Sequence, residues 1–330
     1  PFIYCMMAMA VLTGLYLMLG GYVATALNNF IQGIIMIAGV VAMLYYIISH
    51  PAVNGVVDGI SKLKAIDPAL SKPFGSQPYD LLSLVVLTSL GTWGLPQMIH
   101  KFYTIKDKQA IKKGTIISTA FALLIAGGAY FIGAFSRLFF EYYQAEPPSN
   151  SDMVMPIILE WALPEFLFGL IIILVLSASM STLSSLVLVS SSAISVDLVK
   201  GFISPKISRK NEMLLMRILC VVFVIFSFIA AITPNAILTL MSFSWGTISG
   251  AFIAPYLYGL YWNGITRAGA WSGLISGLVT SVGGAVILGM DTKLAPAIGA
   301  VSMIVSLVVA PVVSLLTRNA EVAESEVITG

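Results

Sequence analysis

Long uninterrupted apolar runs constrain the fold of this chain more than any other feature. The hydrocarbon core of a bilayer is about 30 Å thick, so a spanning helix needs roughly 20 apolar residues. Nine runs of about this length are separated by charged residues, prolines or glycines. They lie near residues 2–19, 27–49, 80–104, 114–137, 165–196, 213–232, 235–262, 268–289 and 294–316. The runs therefore predict an all-α, polytopic membrane helical bundle with about nine transmembrane helices.

The composition points to a lipid bilayer as the environment. Of the 330 residues, 58% are hydrophobic and 10% are charged, whereas soluble domains carry about 25% charged residues. A net charge of +2 provides no field that would attract nucleic acid, so we expect no such partner. Cys5 and Cys220 each lie in an apolar run, which excludes a disulfide framework and a zinc cluster built from cysteines.

The distribution of Lys and Arg predicts the orientation. If the five lysines of residues 101–113 are cytoplasmic, alternation of the spans places residues 197–212, Arg267 and Arg318 on the same side. Twelve of the 17 basic residues then lie inside, as the positive-inside rule requires. We therefore expect a multi-pass protein of the plasma (inner) membrane with a cytoplasmic C-terminus.

The domain boundaries follow from the same apolar runs and charged residues. Residues 1–318 form the predicted transmembrane domain, and the acidic residues 319–330 form a cytoplasmic tail predicted to be disordered. Residues 50–79 and 138–164 are predicted external segments with short helical pieces. Because the chain begins within an apolar run and without Met, we expect it to be N-terminally incomplete.

The chemistry available inside the membrane favours sodium. All 15 acidic residues fall in loops or at span ends, so no carboxylate lies at depth to relay a proton. The interior also lacks a set of residues for hydrolysis or redox chemistry, so we do not expect this protein to be an enzyme. Hydroxyl and carbonyl oxygens suit a hard cation such as Na⁺.

A serine-rich stretch within residues 165–196 offers such oxygens. Ala178, Ser181, Thr182 and Ser185 are spaced i, i+3, i+4 and i+7 and share one helical face. The Ala178 carbonyl and the three hydroxyls are therefore predicted sodium ligands. The alternative is that these small residues serve close helix packing.

Glycine and proline predict a broken helix within residues 80–104. Gly91, Gly94 and Pro96 interrupt the hydrogen-bond ladder, as in the discontinuous helices that transporters use at substrate sites. The predicted substrate-binding residues are Thr88, Thr92, Trp93 and Gln97. A plain proline kink and a packing role for Trp93 are the alternatives. Residues 242–250 form either a third interruption or a packing seam of small residues.

Four stretches together resemble the sodium:solute symporter family, which includes sodium/proline, sodium/pantothenate and sodium/glucose carriers. They are LYLMLGGYVA at 15–24 with FIQG at 30–33, GLPQ at 94–97 with KF at 101–102, SMSTLS at 179–184 with SSAISVDL at 191–198, and GLYW at 259–262 with Thr266 and GA at 269–270. The glycine pair in the first stretch resembles the family's cytoplasmic turn.

The resemblance implies the leucine-transporter-type fold of two inverted five-helix repeats. It places the start of the chain at the fourth core helix, the second repeat at about 80–262 and extra helices at 268–316. It also implies that Ala178, Ser181 and Thr182 bind sodium as the cofactor ion, whereas further ligands belong to a helix that precedes this chain. The implied function is sodium-coupled symport of a small organic solute, and the alternative is a carrier-like sensor domain attached to a signalling module.

Two departures from the family pattern qualify the resemblance. Asn28 and Asn29 replace a usual Thr-Asp pair, which we interpret as a change in a cytoplasmic interaction rather than in the sodium site. Thr88 and Thr92 replace aromatic residues of proline carriers, and Thr92 replaces a gating tyrosine of sugar carriers. The expected solute is therefore a carboxylate or an amino-acid-like molecule other than proline or a sugar.

Overall fold

A computed structural model describes residues 2–102, 105–232, 237–288 and 293–329. All regular structure in these residues is helical, and seven helices are long and apolar enough to cross a membrane. The α-helices are α1 Phe2–Ser49, α2 Val56–Ile66, α3 Pro78–Gly91, α4 Pro96–Phe102, α5 Lys108–Tyr142, α6 Val154–Ala162, α7 Glu165–Ser192, α8 Arg209–Ile232, α9 Ile237–Tyr261, α10 Arg267–Ile287 and α11 Ala295–Thr329.

Seven of the nine predicted spans coincide with these long helices. The run 80–104 instead forms the short helices α3 and α4. The predicted turn at Gly20 and Gly21 is wrong, because α1 is one continuous helix of 48 residues. Each glycine weakens a helix by only about 1 kcal/mol and keeps its N–H donor, and residues 2–49 contain no proline. The same residues contain no Lys or Arg, so the charge count for orientation is unchanged.

The connecting segments contain the short helical pieces that their sequences predict. Residues 50–79 hold α2 and a 3₁₀ turn at Pro68–Ser71, and residues 138–164 hold another 3₁₀ turn at Ser151–Met153 and then α6. The backbone of α11 continues as helix to Thr329, and the disorder of the acidic tail stays a prediction. Alanine and glutamate favour helix, and no proline or glycine interrupts residues 319–329.

Residues Pro1–Pro68 and Lys106–Pro234 form one compact unit, which contains α1, α2 and α5–α8. Its largest core lies where α1, α2, α5 and α6 meet, around the buried rings of Phe135 and Phe139. A Cβ atom on Gly59 would lie 2.6 Å from the Phe135 ring. Helix α2 can therefore approach α5 this closely because Gly59 has no side chain.

Residues Ala69–Ile105 and Asn235–Gly330 form the second unit, which contains α3, α4 and α9–α11. Small residues recur every four positions along the buried face of α10, a spacing that lets membrane helices pack closely. They are Gly269, Gly273, Gly277, Ser281 and Ala285. A Cβ atom on Gly277 would lie 1.9 Å from the carbonyl oxygen of Gly250 on α9, so these two helices touch through their backbones.

Helix α9 resolves the two interpretations of residues 242–250. The helix is continuous through this segment, with Ser242, Gly246, Ser249 and Gly250 buried. The Ser302 hydroxyl of α11 donates to the Gly246 carbonyl at 2.8 Å. The segment is therefore a packing seam and does not interrupt the helix.

Candidate functional site

The serine face of α7, defined as Ala178, Ser181, Thr182 and Ser185, lies on a regular helix. The Thr182 hydroxyl donates to the Ala178 carbonyl, with the two oxygens 3.1 Å apart. This bond joins the hydroxyl to a carbonyl of its own helix, and α7 is continuous through it. Hard cations such as Ca²⁺ take oxygen ligands at about 2.3–2.6 Å, so two oxygens at this separation can contact the same ion.

An open groove of about 600 Å³ runs along part of this face. Its walls come from α1, α5 and α7 of the first unit and are mainly apolar. The lining residues are Met36, Val40, Ile125, Leu174, Val175, Ala178, Ser179, Thr182, Leu183 and Leu186. Ala178 and Thr182 therefore lie along an accessible space.

Ser181 points toward a different neighbour. Its hydroxyl donates to Oδ1 of Asn29 on α1. One turn earlier on α7, the Ser177 carbonyl accepts a hydrogen bond of 3.1 Å from Nε2 of Gln32. The structure thus places Ala178 and Thr182 on the groove and Ser181 on the contact with α1, while Ser185 is half-buried one turn further along.

The contact between α1 and α7 corrects the interpretation of Asn29. The departure of Asn29 from the family pattern predicts a change in a cytoplasmic interaction, whereas the Asn29 side chain accepts a hydrogen bond from a predicted sodium ligand. Asn29, Gln32 and Ser177 were missed as neighbours of the site. No local signal identifies them, because the partners are 152 and 145 residues apart in the chain.

The polar groups on and beside the serine face are neutral. The nearest acidic residues on the same helical segment are Glu165, at the first turn of α7, and Asp197, in the π-helix that follows. Glu165 precedes Ala178 by 13 residues, about 20 Å along a helix. An ion at the serine face would therefore be held by oxygen dipoles and not by a carboxylate of α7.

The predicted interruption between α3 and α4 is confirmed. Residues Thr92–Gly94 form a 3₁₀ turn, and Leu95 is extended with φ −83° and ψ 115°. Proline disfavours helical conformation in the residue before it and suits the first position of a helix, where Pro96 begins α4. We refer to residues 92–95 as the 92–95 break.

The 92–95 break packs tightly against α9 of the same unit. The Ser249 hydroxyl donates to the Gly91 carbonyl, and this pair is buried. A Cβ atom on Gly94 would lie 2.7 Å from Cα of Ser249. One carbonyl beside the break is therefore satisfied by a neighbouring helix, and Ser249 is a further residue that sequence reasoning did not associate with it.

The predicted substrate residues flank this break. The Thr88 hydroxyl donates to the Leu84 carbonyl at 2.8 Å, and the Thr92 hydroxyl donates to the Ser89 carbonyl at 3.1 Å. Trp93 is 60% exposed, so its indole does not fill a core of this unit. Gln97 is half-buried on α4.

Comparison with known proteins matches this chain to carriers. The model of the sodium:solute symporter family matches residues 2–277. The osmoregulated proline transporter OpuE of Bacillus subtilis is 27% identical over 92% of this chain and 61% of its own length. The sodium/pantothenate symporter of Haemophilus influenzae is 31% identical over 82% of this chain and 55% of its length. A sodium/proline symporter of Staphylococcus aureus is 31% identical over 81% and 52%.

The fold is shared with a solved carrier. A structure of a Na⁺-coupled sialic acid symporter in a substrate-bound, outward-open state superimposes with a TM-score of 0.72, at 18% identity, over 94% of this chain and 66% of that chain. This likeness confirms the leucine-transporter-type helical fold. The chain spans between about half and three-fifths of the length of the curated relatives named above. Because the family model matches residues 2–277, the chain belongs to the sodium:solute symporter family and is a multi-pass membrane protein.

Proposed function

We propose that this protein carries out sodium-coupled symport of a small organic solute across the plasma membrane by alternating access. The observation that carries the proposal is the family match, because residues 2–277 include both the serine face and the 92–95 break. The relatives named above are all described as transporters or symporters, which supports symport over the sensor alternative.

The proposed sodium ligands are the Ala178 carbonyl and the hydroxyls of Ser181 and Thr182, with Ser185 as a further ligand one turn away. A hydroxyl has one donor hydrogen and two acceptor lone pairs. The Ser181 hydrogen is directed at Asn29 and the Thr182 hydrogen at Ala178. Both hydroxyl oxygens therefore keep lone pairs for a cation, which supports this assignment.

The proposed solute site is the 92–95 break with Thr88, Thr92, Trp93 and Gln97. The two threonine hydroxyls donate within their own helix and keep acceptor lone pairs. The exposed Trp93 ring can cover an apolar part of a solute, and Gln97 can both donate and accept. A carboxylate or an amino-acid-like molecule would use these groups, and the threonines disfavour proline and sugars as solutes by the resemblance above.

The topology and the repeat assignment are parts of the same proposal. The excess of Lys and Arg on one side supports a cytoplasmic C-terminus, with residues 1–318 as the transport domain and residues 319–330 as the tail. We assign the second inverted repeat to about 80–262 and the additional helices to 268–316.

Transport in proteoliposomes tests this function. The protein would be supplied with labelled pantothenate, alanine or proline under a sodium gradient alone or a pH gradient alone. We expect sodium-driven accumulation of pantothenate or alanine and little accumulation of proline. Accumulation driven by pH without sodium would contradict the coupling ion, and sodium-driven accumulation of proline would contradict the solute assignment.

A further inference from the structure

The connection between α7 and α8 places exposed apolar side chains beside a cluster of basic residues. Helix α7 passes into a π-helix, Ala193–Ile203. The last two residues of the π-helix, Phe202 and Ile203, are 83% and 67% exposed. The candidate membrane spans Glu165–Ile203 and Arg209–Ile232 belong to the same unit and are joined by residues 204–208. Phe202 and Ile203 therefore end one span, where the chain reaches the membrane surface.

The connection is held in a defined conformation. Lys200 Nζ lies 2.8 Å from Glu212 Oε2, and this ion pair joins the π-helix to the first turn of α8. The Ser195 hydroxyl also donates to the Glu212 carbonyl at 3.4 Å. The charge of Lys200 is therefore balanced within the protein, and the end of the π-helix is tied to α8.

Three other basic side chains lie in or beside the same connection. Lys206, Arg209 and Lys210 are exposed. Within the described part of the chain, none of the three is paired with an acidic side chain within 4.0 Å. We refer to Phe202, Ile203 and these three cations as the 202–210 surface.

We propose that the 202–210 surface binds the headgroup of an anionic phospholipid, with Phe202 and Ile203 inserted into the membrane interface. Clusters of Lys and Arg next to a membrane span attract anionic lipids. Arginine can contact phosphate oxygens in bidentate fashion, and lysine acts as a point charge. A free phosphate would satisfy the cations alone, whereas a lipid also covers the apolar pair. This inference goes beyond transport and does not depend on the identity of the solute.

Hydrogen exchange in nanodiscs tests the proposal on the intact protein. Exchange of peptides that span residues 202–210 would be compared in phosphatidylcholine and in phosphatidylcholine mixed with phosphatidylglycerol. We expect slower exchange with phosphatidylglycerol, and less slowing at high salt, because salt screens exposed charges. Equal exchange in the two lipids would overturn the proposal.

Matched charge variants locate the effect. The double variant Lys206→Gln, Lys210→Gln should weaken phosphatidylglycerol binding by about fivefold for each lysine removed. Most of the slowing of hydrogen exchange by phosphatidylglycerol should then be lost. Lys64→Gln with Lys72→Gln removes the same charge from exposed positions in the segment 50–79 and should leave the slowing intact. An unchanged effect of phosphatidylglycerol in the first variant would overturn the assignment.

Two further measurements separate the lipid from its alternatives. Phe202→Ser with Ile203→Ser should speed exchange of the same peptides in both lipids, because the apolar anchor is lost. Unchanged exchange in that variant would exclude insertion. If inorganic phosphate added to phosphatidylcholine nanodiscs slowed exchange as much as phosphatidylglycerol does, the ligand would be a soluble phosphate and the lipid assignment would be wrong.

Discussion

The serine face and the 92–95 break expose polar groups in apolar helices by two different routes. On α7 the backbone ladder stays intact and the polar groups are side-chain hydroxyls, such as Thr182, that bond to their own helix. Between α3 and α4 the ladder itself is interrupted, and the Gly91 carbonyl is satisfied by Ser249 of another helix. The first arrangement leaves the backbone of its helix intact, whereas the second leaves a backbone carbonyl that needs a packed neighbour.

The serine face and the 92–95 break should respond differently to substitutions. A hydroxyl on the serine face can be removed while its helix persists, because the helix does not rely on the hydroxyl for its backbone hydrogen bonds. The 92–95 break has no such tolerance, because its backbone lies directly against α9. We therefore expect changes on the serine face to alter ion affinity and a side chain added at Gly94 to alter stability.

The largest expected effect is on stability at Gly94. In Gly94→Ala the new Cβ would meet Ser249 backbone atoms at 2.7–2.8 Å, so α9 must shift. Such overpacking costs about 1–3 kcal/mol, and thermal unfolding of the purified protein would measure it. Gly133→Ala is the control, since nothing lies within 4 Å of that Cβ. Equal melting temperatures for the two variants would show that the break is not tightly packed.

The next effect is on sodium affinity at the serine face. Ser181→Ala and Thr182→Ala each remove one proposed ligand, and losing a hydrogen-bonding oxygen of this kind costs about 1–3 kcal/mol, or about 5- to 150-fold in affinity. Uptake measured against sodium concentration gives the half-saturation value. Ser192→Ala is the control, because its hydroxyl donates to Val189 at 3.0 Å on the same helix and lies outside the serine face. If both site variants kept the wild-type sodium concentration for half-maximal uptake, the sodium site would lie elsewhere.

A smaller effect is expected on solute uptake at the break. Thr92→Tyr fills space beside Trp93 and should raise the half-saturation for the solute by about 5- to 30-fold, the equivalent of about 1–2 kcal/mol. Sodium binding should change little, because the serine face lies on a different helix. Thr115→Tyr is the control, since Thr115 is exposed and also bonds a carbonyl of its own helix at 2.9 Å. An unchanged solute half-saturation in Thr92→Tyr would exclude the break from the pocket.

The smallest effect is a pH dependence confined to the unit that contains the serine face. Burial lowers the pKa of His50 below its ordinary 6.5. Its Nδ1 accepts from the Ala52 N–H at 3.1 Å, and its ring lies 4.7 Å from that of Phe139. The neutral ring is therefore favoured in the folded state. The stability it contributes is fully present above pH 6.5 and is lost as the pH falls through the folded-state pKa.

Melting temperatures between pH 5 and pH 8, compared with those of His50→Gln, would measure this contribution. We expect the wild-type protein to lose more stability on acidification than the variant. An identical pH profile in the two proteins would mean that His50 is not held neutral by its surroundings.

Sequence alone predicted several features of both regions correctly because they depend on local backbone chemistry. The lengths of the apolar runs predicted seven of the long helices. Gly91, Gly94 and Pro96 predicted where α3 ends and α4 begins. The turn that the resemblance implied at Gly20 and Gly21 is absent, because glycine weakens a helix without removing a donor, and α1 continues through both residues.

What the sequence by itself determined is the helical membrane fold, the position of the 92–95 break and the spacing of the serine face, since each follows from residues within a few helical turns. Only the tertiary structure decided that Ser181 contacts Asn29, 152 residues away, and that Gly91 contacts Ser249, 158 residues away. It also decided that residues 242–250 are a packing seam. The physical reason is that helical periodicity indicates which side chains share a face, whereas the partner of that face depends on how separate helices pack.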